Sequence, residues 1–92
     1  MKNIRVHLIV EGKVQGVWYR DSTRIKAAEL EIKGWIKNRT DGTVEIMAEG
    51  LEVNIQKFIG WCHEGPPYAV VNNITVSPQE FRNEFDSFNI VF

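Results

Sequence analysis

Glu11-Gly12-Lys13-Val14-Gln15-Gly16-Val17-Trp18-Tyr19-Arg20 joins two stretches of different periodicity, and the change across it decides the fold. Before it, Ile4, Val6, Leu8 and Val10 alternate with Arg5, His7 and Ile9, the period of a β-strand with one face buried. After it, Asp21-Ser22-Thr23 opens a helical stretch over residues 21–30. Thr23, Ala27 and Leu30 share one face of that helix, with Ile25 and Ala28 beside it. Glycines at 12 and 16 let the intervening backbone take positive φ and approach a ligand with no Cβ in the way. A glycine-punctuated loop that opens a helix aims successive N–H groups at one point, and such a nest binds anions. Arg20, in the first helical turn or just before it, adds a fork of donors matched to phosphate or carboxylate oxygens. Read alone, the stretch fits both an anion cradle and a plain strand-to-helix connection.

Further along the chain the elements are short and well punctuated. Residues 34–38 form a second strand and Arg39-Thr40-Asp41-Gly42 a turn, with Asp-Gly a strong hairpin signal. Val44, Ile46 and Ala48 then alternate with Thr43, Glu45, Met47 and Glu49 in a third strand, antiparallel to the second. From residue 52 to about 64, Ile55, Phe58, Ile59 and Cys62 fall at helical spacing. Gly60 inside that helix costs about 1 kcal/mol relative to Ala, so a close packing contact is expected there. Gly65-Pro66-Pro67 ends the helix. Ala69-Val70-Val71 and Ile74-Thr75-Val76 make a fourth strand, bulged at Asn72-Asn73. Residues 77–86 are polar and irregular, and residues 88–92 alternate as a short last strand.

The order β-α-β-β-α-β with a terminal strand predicts a ferredoxin-like α+β sandwich. Two helices cover one face of an antiparallel sheet and leave the other toward solvent. One domain over residues 1–92 is expected, and 92 residues are enough to bury a core without disulfides. A formal charge of −1 and a pI near 6.1 give no global field toward nucleic acid or an anionic membrane. The same architecture serves RNA-binding modules, which need aromatic side chains on the open face of the two central strands. That face here reads Arg5, His7, Ile9, Glu11, Thr43, Glu45, Met47 and Glu49, without an aromatic residue, so no nucleic-acid partner is expected. No apolar run reaches membrane-spanning length and Met1 to Arg5 leads directly into a strand, so a cytoplasmic protein with no membrane partner is expected.

A single cysteine, Cys62, lies on the apolar stripe of the second helix and reads as core. His7 and His63 stand far apart in sequence, and no His, Cys, Asp and Glu set has metal-ligand spacing. No metal and no cofactor are expected. Asn38, at the far end of the second strand, is the best complement to the cradle. It carries donors and an acceptor without charge, which suits a water beside a phosphoryl group. As a residue ahead of a tight turn it equally fits a purely conformational role.

Gly12-x-Val14-Gln15-Gly16-Val17-x-Tyr19-Arg20, then Gly34-Trp35-Ile36-x-Asn38 and Asp41-Gly42-Thr43-Val44-Glu45, closely resemble the acylphosphatase family. The likeness continues through Ala48-Glu49-Gly50 and Gly65-Pro66-Pro67 and so covers nearly the whole chain. The resemblance implies a ferredoxin-like fold and metal-independent hydrolysis of the carboxyl-phosphate bond of acyl phosphates. It places Arg20 at the family's phosphate-binding arginine and Asn38 at its water-orienting asparagine. Lys13, Val14, Gln15, Gly16, Val17, Trp18 and Tyr19 stand at its phosphate-binding loop. The implied partners are a small-molecule acyl phosphate and inorganic phosphate, the latter as product and competitive inhibitor, and a monomer is expected. Three positions depart from the family pattern. Tyr19 stands where Phe is usual, and with the bulky Trp18 is expected to narrow the mouth of the site. Glu31 stands where Gly is usual, at the end of the first helix.

Overall fold

The computed structural model describes residues 2–92; Met1 lies outside the described residues. The elements are β1 (Asn3–Lys13), α1 (Tyr19–Glu29), β2 (Lys33–Asn38), β3 (Val44–Leu51), α2 (Glu52–Glu64), β4 (Val70–Gln79) and β5 (Phe88–Ile90). They form the expected ferredoxin-like sandwich, a five-stranded sheet in the order β4-β1-β3-β2-β5. Every pairing is antiparallel except β2 with β5, which run parallel. Among the described residues no helix is long and apolar enough to cross a membrane.

The period-2 pattern sorts the strands into two faces. Val6, Leu8 and Val10 of β1, Ile36 of β2, and Val44, Ile46 and Ala48 of β3 are buried toward the helices. Opposite them lie Tyr19, Thr23 and Ala27 of α1 and Ile55, Phe58 and Cys62 of α2. The helix stripe differs from expectation on its flank: Ile25 and Ala28 are exposed and Leu30 half-buried, while Tyr19 joins the buried line one turn earlier. Phe58 meets Phe88 edge-on with ring centroids 5.9 Å apart, which draws β5 onto the same core.

Two local expectations change and one holds. The fourth strand runs on through Ser77, Pro78 and Gln79, which pair with His7, Val6 and Arg5 of β1. Pro78 is tolerated because β4 is an edge strand, where a missing N–H can face solvent. The bulge falls where it was expected: the register jumps between Glu11 and Gly12, leaving Asn72 as the extra residue. Gly60 makes no close contact at all, since a Cβ there would meet open space.

Glu49 is the other surprise. Its alternation places it on the open face, yet it is 3% exposed. Its carboxylate accepts from the N–H groups of Arg82, Asn83 and Glu84 at 2.9, 3.2 and 3.1 Å. Arg5 adds a donor at 3.4 Å and also pairs with Glu84. Successive N–H groups converging on one carboxylate make a nest, and it straps the segment between β4 and β5 across one end of the open face. Farther along that face His7 meets Glu45 at 2.7 Å.

Candidate active site

Strand register brings the cradle and Asn38 to one end of the sheet. Val10 faces Val44, and Val44 faces Asn38, so the end of β1 lies level with the end of β2. The loop after β1 is pinned on its inner side by Val14 and Val17, both buried in the core. Gly16 stands between them at φ 74, with open space where a side chain would be. Gln15 ties the loop sideways. Its Nε2 donates to the carbonyls of Arg39 at 2.8 Å and Thr43 at 2.9 Å, on the turn that follows Asn38. That turn is fixed in its own right by Asp41, whose carboxylate accepts from the Thr43 N–H at 3.1 Å and the Thr43 hydroxyl at 2.6 Å. These hydrogen bonds, the Thr43 hydroxyl foremost, hold the Asp41 carboxyl below its usual range.

Helix α1 begins at the loop with its donors unspent. Its N-cap is Trp18, and no side chain caps it. Among the described residues, the N–H groups of Gln15 to Trp18 find no acceptor. Free donors at the positive end of a helix dipole have the chemistry to receive an anion. Arg20 stands in the first turn of α1, with its Cζ 5.4 Å from the centroid of the Phe92 ring. Asp21, next along, is held by Arg24 at 2.8 Å.

These elements enclose a cavity of about 360 Å³ lined by Val14, Gly16, Trp18, Tyr19, Arg20, Asp21, Asn38, Ile90 and Phe92. Among the described residues Asn38 Oδ1 stands out as a buried side-chain acceptor with no hydrogen-bond partner. A buried polar atom left unpaired is uncommon and points to a ligand or water in its place.

A family model described as acylphosphatase matches residues 6–90. The chain belongs to the acylphosphatase family. An acylphosphatase from Pelotomaculum thermopropionicum is 48% identical over 92 residues, covering 100% of both chains. The crystal structure of the acylphosphatase from Bacillus subtilis superposes with a TM-score of 0.94 at 37% identity, over 97% of this chain and 99% of that one. The acylphosphatase structure from Coxiella burnetii gives 0.92 at 38% identity, over 97% and 93%. Acylphosphatases are hydrolases, and the chain is an enzyme of that class.

Not every residue from 13 to 19 turns toward the cavity. Val14, Gly16, Trp18 and Tyr19 line it with Arg20 and Asn38. Val17 packs into the core, Gln15 is committed to the neighbouring turn, and Lys13 is the exposed last residue of β1, opposite Val70. Tyr19 does not narrow the mouth as expected. It is 1% exposed, and its hydroxyl is directed into the core toward α2. Trp18 alone of the pair stands at the rim. Ile90 and Phe92 escaped the sequence reading, because the parallel pairing that carries β5 alongside β2 leaves no local signal.

Proposed function

We propose that the chain hydrolyses the carboxyl-phosphate bond of acyl phosphates, releasing a carboxylate and inorganic phosphate with no cofactor. Family membership and the matching folds support that reaction class. The observation that carries the division of labour is Asn38 Oδ1, a buried acceptor without a partner on a residue that lines the same cavity as Arg20. An unpaired buried acceptor costs roughly 1–3 kcal/mol. A water donating to Oδ1 recovers that cost and is oriented in doing so.

In this reading the loop over residues 13–19 and the Arg20 guanidinium hold the phosphoryl oxygens. Those donors are fixed before substrate arrives, so charge gathering on the equatorial oxygens meets dipoles that need no rearrangement. The water held at Asn38 attacks phosphorus in line. The bond from phosphorus to the bridging oxygen breaks, and its electron pair leaves with the carboxylate. A proton of the water passes to a phosphoryl oxygen, so the dianionic mixed anhydride and water become carboxylate and dihydrogen phosphate. A carboxylate is a weak base and departs unprotonated, which explains why the cavity needs no strong acid. Inorganic phosphate presents the same oxygens to the same donors and should inhibit competitively.

The test is phosphate release from benzoyl phosphate in excess chelator. Turnover at the rate seen without chelator is expected, with simple alkyl phosphate monoesters far slower because an alkoxide needs an acid to leave. Loss of turnover on chelation, restored by a divalent ion, would overturn the mechanism.

A further inference from the structure

The cavity is larger than a phosphoryl group and one water require. About 360 Å³ falls within the size of ordinary small-molecule sites, roughly 300–1,000 Å³. Beyond the polar groups its wall is apolar, built from Trp18, Ile90 and Phe92. Trp18 is 75% exposed and Phe92 fully exposed, so two large aromatic side chains stand in water at the rim of a polar site. Single exposed apolar residues need no explanation, but two aromatic rings on one cavity do.

Trp18 is also strained. It lies at φ 68, ψ 18, where a bulky residue is rarely found. Strain of this kind gathers at ligand clamps and persists where the surroundings over-determine it. Here the left-handed turn sends the indole outward while the next residue, Tyr19, is buried. On the same cavity, the Phe92 ring lies by the Arg20 guanidinium at 5.4 Å. A phosphoryl group held by Arg20 therefore has an aromatic ring beside it, and its acyl group is one oxygen away.

We propose that Trp18 and Phe92 form the two sides of an acyl-binding slot with Ile90 between them. The substrates favoured are acyl phosphates with a planar aromatic or extended apolar acyl group, over those with a small or charged one. The inference rests on the acyl-phosphate reading above. A phosphorylated aspartyl side chain fits the slot poorly, since its single methylene would bring polar main chain against both rings.

The experiment compares kcat/KM for benzoyl phosphate and acetyl phosphate in the wild type, Trp18→Ala, Phe92→Ala and Trp18→Phe. The intrinsic reactivities of the two substrates cancel when the benzoyl-to-acetyl ratio is compared between proteins. Each Ala variant should lower that ratio about three- to tenfold, the range for losing one aromatic contact. Trp18→Phe should recover most of the loss. Phe92 touches the cradle only through Arg20, and a disturbed Arg20 acts on the phosphoryl group common to both substrates, so it lowers both rates and leaves the ratio in place. Benzoylphosphonate and acetylphosphonate, whose P–C bond resists hydrolysis, should show the same discrimination as competitive inhibitors. An unchanged ratio in both Ala variants, for substrates and phosphonates alike, overturns the slot. Absence of phosphate release from either substrate by the wild type overturns the acyl-phosphate reading instead, and phosphonate discrimination then still decides the slot.

Discussion

The Tyr19 hydroxyl donates to the main-chain carbonyl of Cys62 at 2.7 Å, linking the start of α1 to the end of α2. The bond meets a specific shortage. Within α2 the Cys62 carbonyl would accept from the N–H four residues on, but that residue is Pro66, which has none. The preceding carbonyl, Trp61, is satisfied by the Gly65 N–H at 2.8 Å. Tyr19 thus supplies the donor that the Pro66 break removes. Tyr19→Phe should cost roughly 1–2 kcal/mol, because a buried carbonyl is left unpaired. For a domain of this size each kcal/mol lowers the melting midpoint by about 4–8 °C. A midpoint equal to the wild type's would show that the carbonyl finds another partner.

The same pair should weaken the fold at alkaline pH. Burial pushes the Cys62 thiol up to about 12, from an ordinary value of 9.0. Burial likewise pushes the Tyr19 hydroxyl above its ordinary 10.0. Both groups therefore stay protonated in the folded state over a range where the unfolded chain releases those protons. Their contribution is complete below about pH 9 and is lost progressively as pH rises toward the folded-state values. Thermal midpoints should be flat with respect to these groups near neutrality and fall above about pH 9. The fall should be shallower in Tyr19→Phe, where one of the two titrations is gone. An equal slope in both proteins would assign the alkaline loss to other groups.

Glu31 lies at φ 55, the left-handed conformation expected of a residue standing where the family usually has Gly. Its N–H donates to the Ala28 carbonyl at 3.2 Å, and the Ile32 N–H to the Ala27 carbonyl at 2.8 Å. That pair of bonds is a Schellman motif with Glu31 at C′ and the buried Ile32 packing behind it. A side chain in this region costs roughly 1–2 kcal/mol, while glycine adds about 0.5–1 kcal/mol of backbone entropy to lose on folding. Glu31→Gly should therefore raise stability by something near 1 kcal/mol, read as a higher midpoint in a thermal melt. A lowered midpoint would refute the left-handed assignment.

What the sequence made legible was whatever a local pattern could carry. The alternation of Val6, Leu8 and Val10, the Asp41-Gly42 turn and the Gly65-Pro66-Pro67 stop place the elements without any tertiary information. Gly16, Arg20 and Asn38 could be singled out because each has chemistry unusual for a plain connection. Features created by pairing distant segments were hidden. Ser77 to Gln79 are strand only because β1 offers Arg5, Val6 and His7 as partners. Ile90 and Phe92 reach the cavity only through the parallel pairing of β5 with β2. Glu49 reads as a solvent-facing carboxylate until the N–H groups of residues 82–84 close over it. Trp18 carries no mark of its left-handed backbone, since tryptophan is among the residues least expected there.

Gln15 offers a test of how the two halves of the site are held together. Its amide bridges the loop to the Arg39 and Thr43 carbonyls, and Gln15 does not itself line the cavity. Gln15→Leu keeps most of the side-chain volume and removes both bonds. Displacement of a reacting group by about 1 Å can cost on the order of a hundredfold, so kcat should fall at least tenfold. Because the loop donors themselves remain, KM should change less than kcat. An effect confined to the melting midpoint would make Gln15 a structural tie with no part in alignment.

Arg20 and Asn38 share the cavity but differ in the chemistry available to them. Arg20 is cationic and bidentate, so it should act on the phosphoryl group in both the bound state and the transition state. Arg20→Gln should weaken competitive inhibition by inorganic phosphate and abolish measurable turnover. Lys is no equivalent, because a point charge cannot reproduce the fork. Asn38 is neutral, and its buried Oδ1 is assigned to water rather than to phosphate. Asn38→Ala should leave phosphate affinity within a few-fold of the wild type while turnover drops by about two orders of magnitude or more. Its fold should hold, since the substitution removes a buried acceptor that had no partner to lose. The measurements are phosphate titration and steady-state kinetics on each variant, with circular dichroism as the folding control. If Asn38→Ala loses phosphate binding as badly as Arg20→Gln does, Asn38 is another cradle residue. If it keeps full turnover, the unpaired amide is a feature of the turn alone, and the water must be oriented from elsewhere in the cavity.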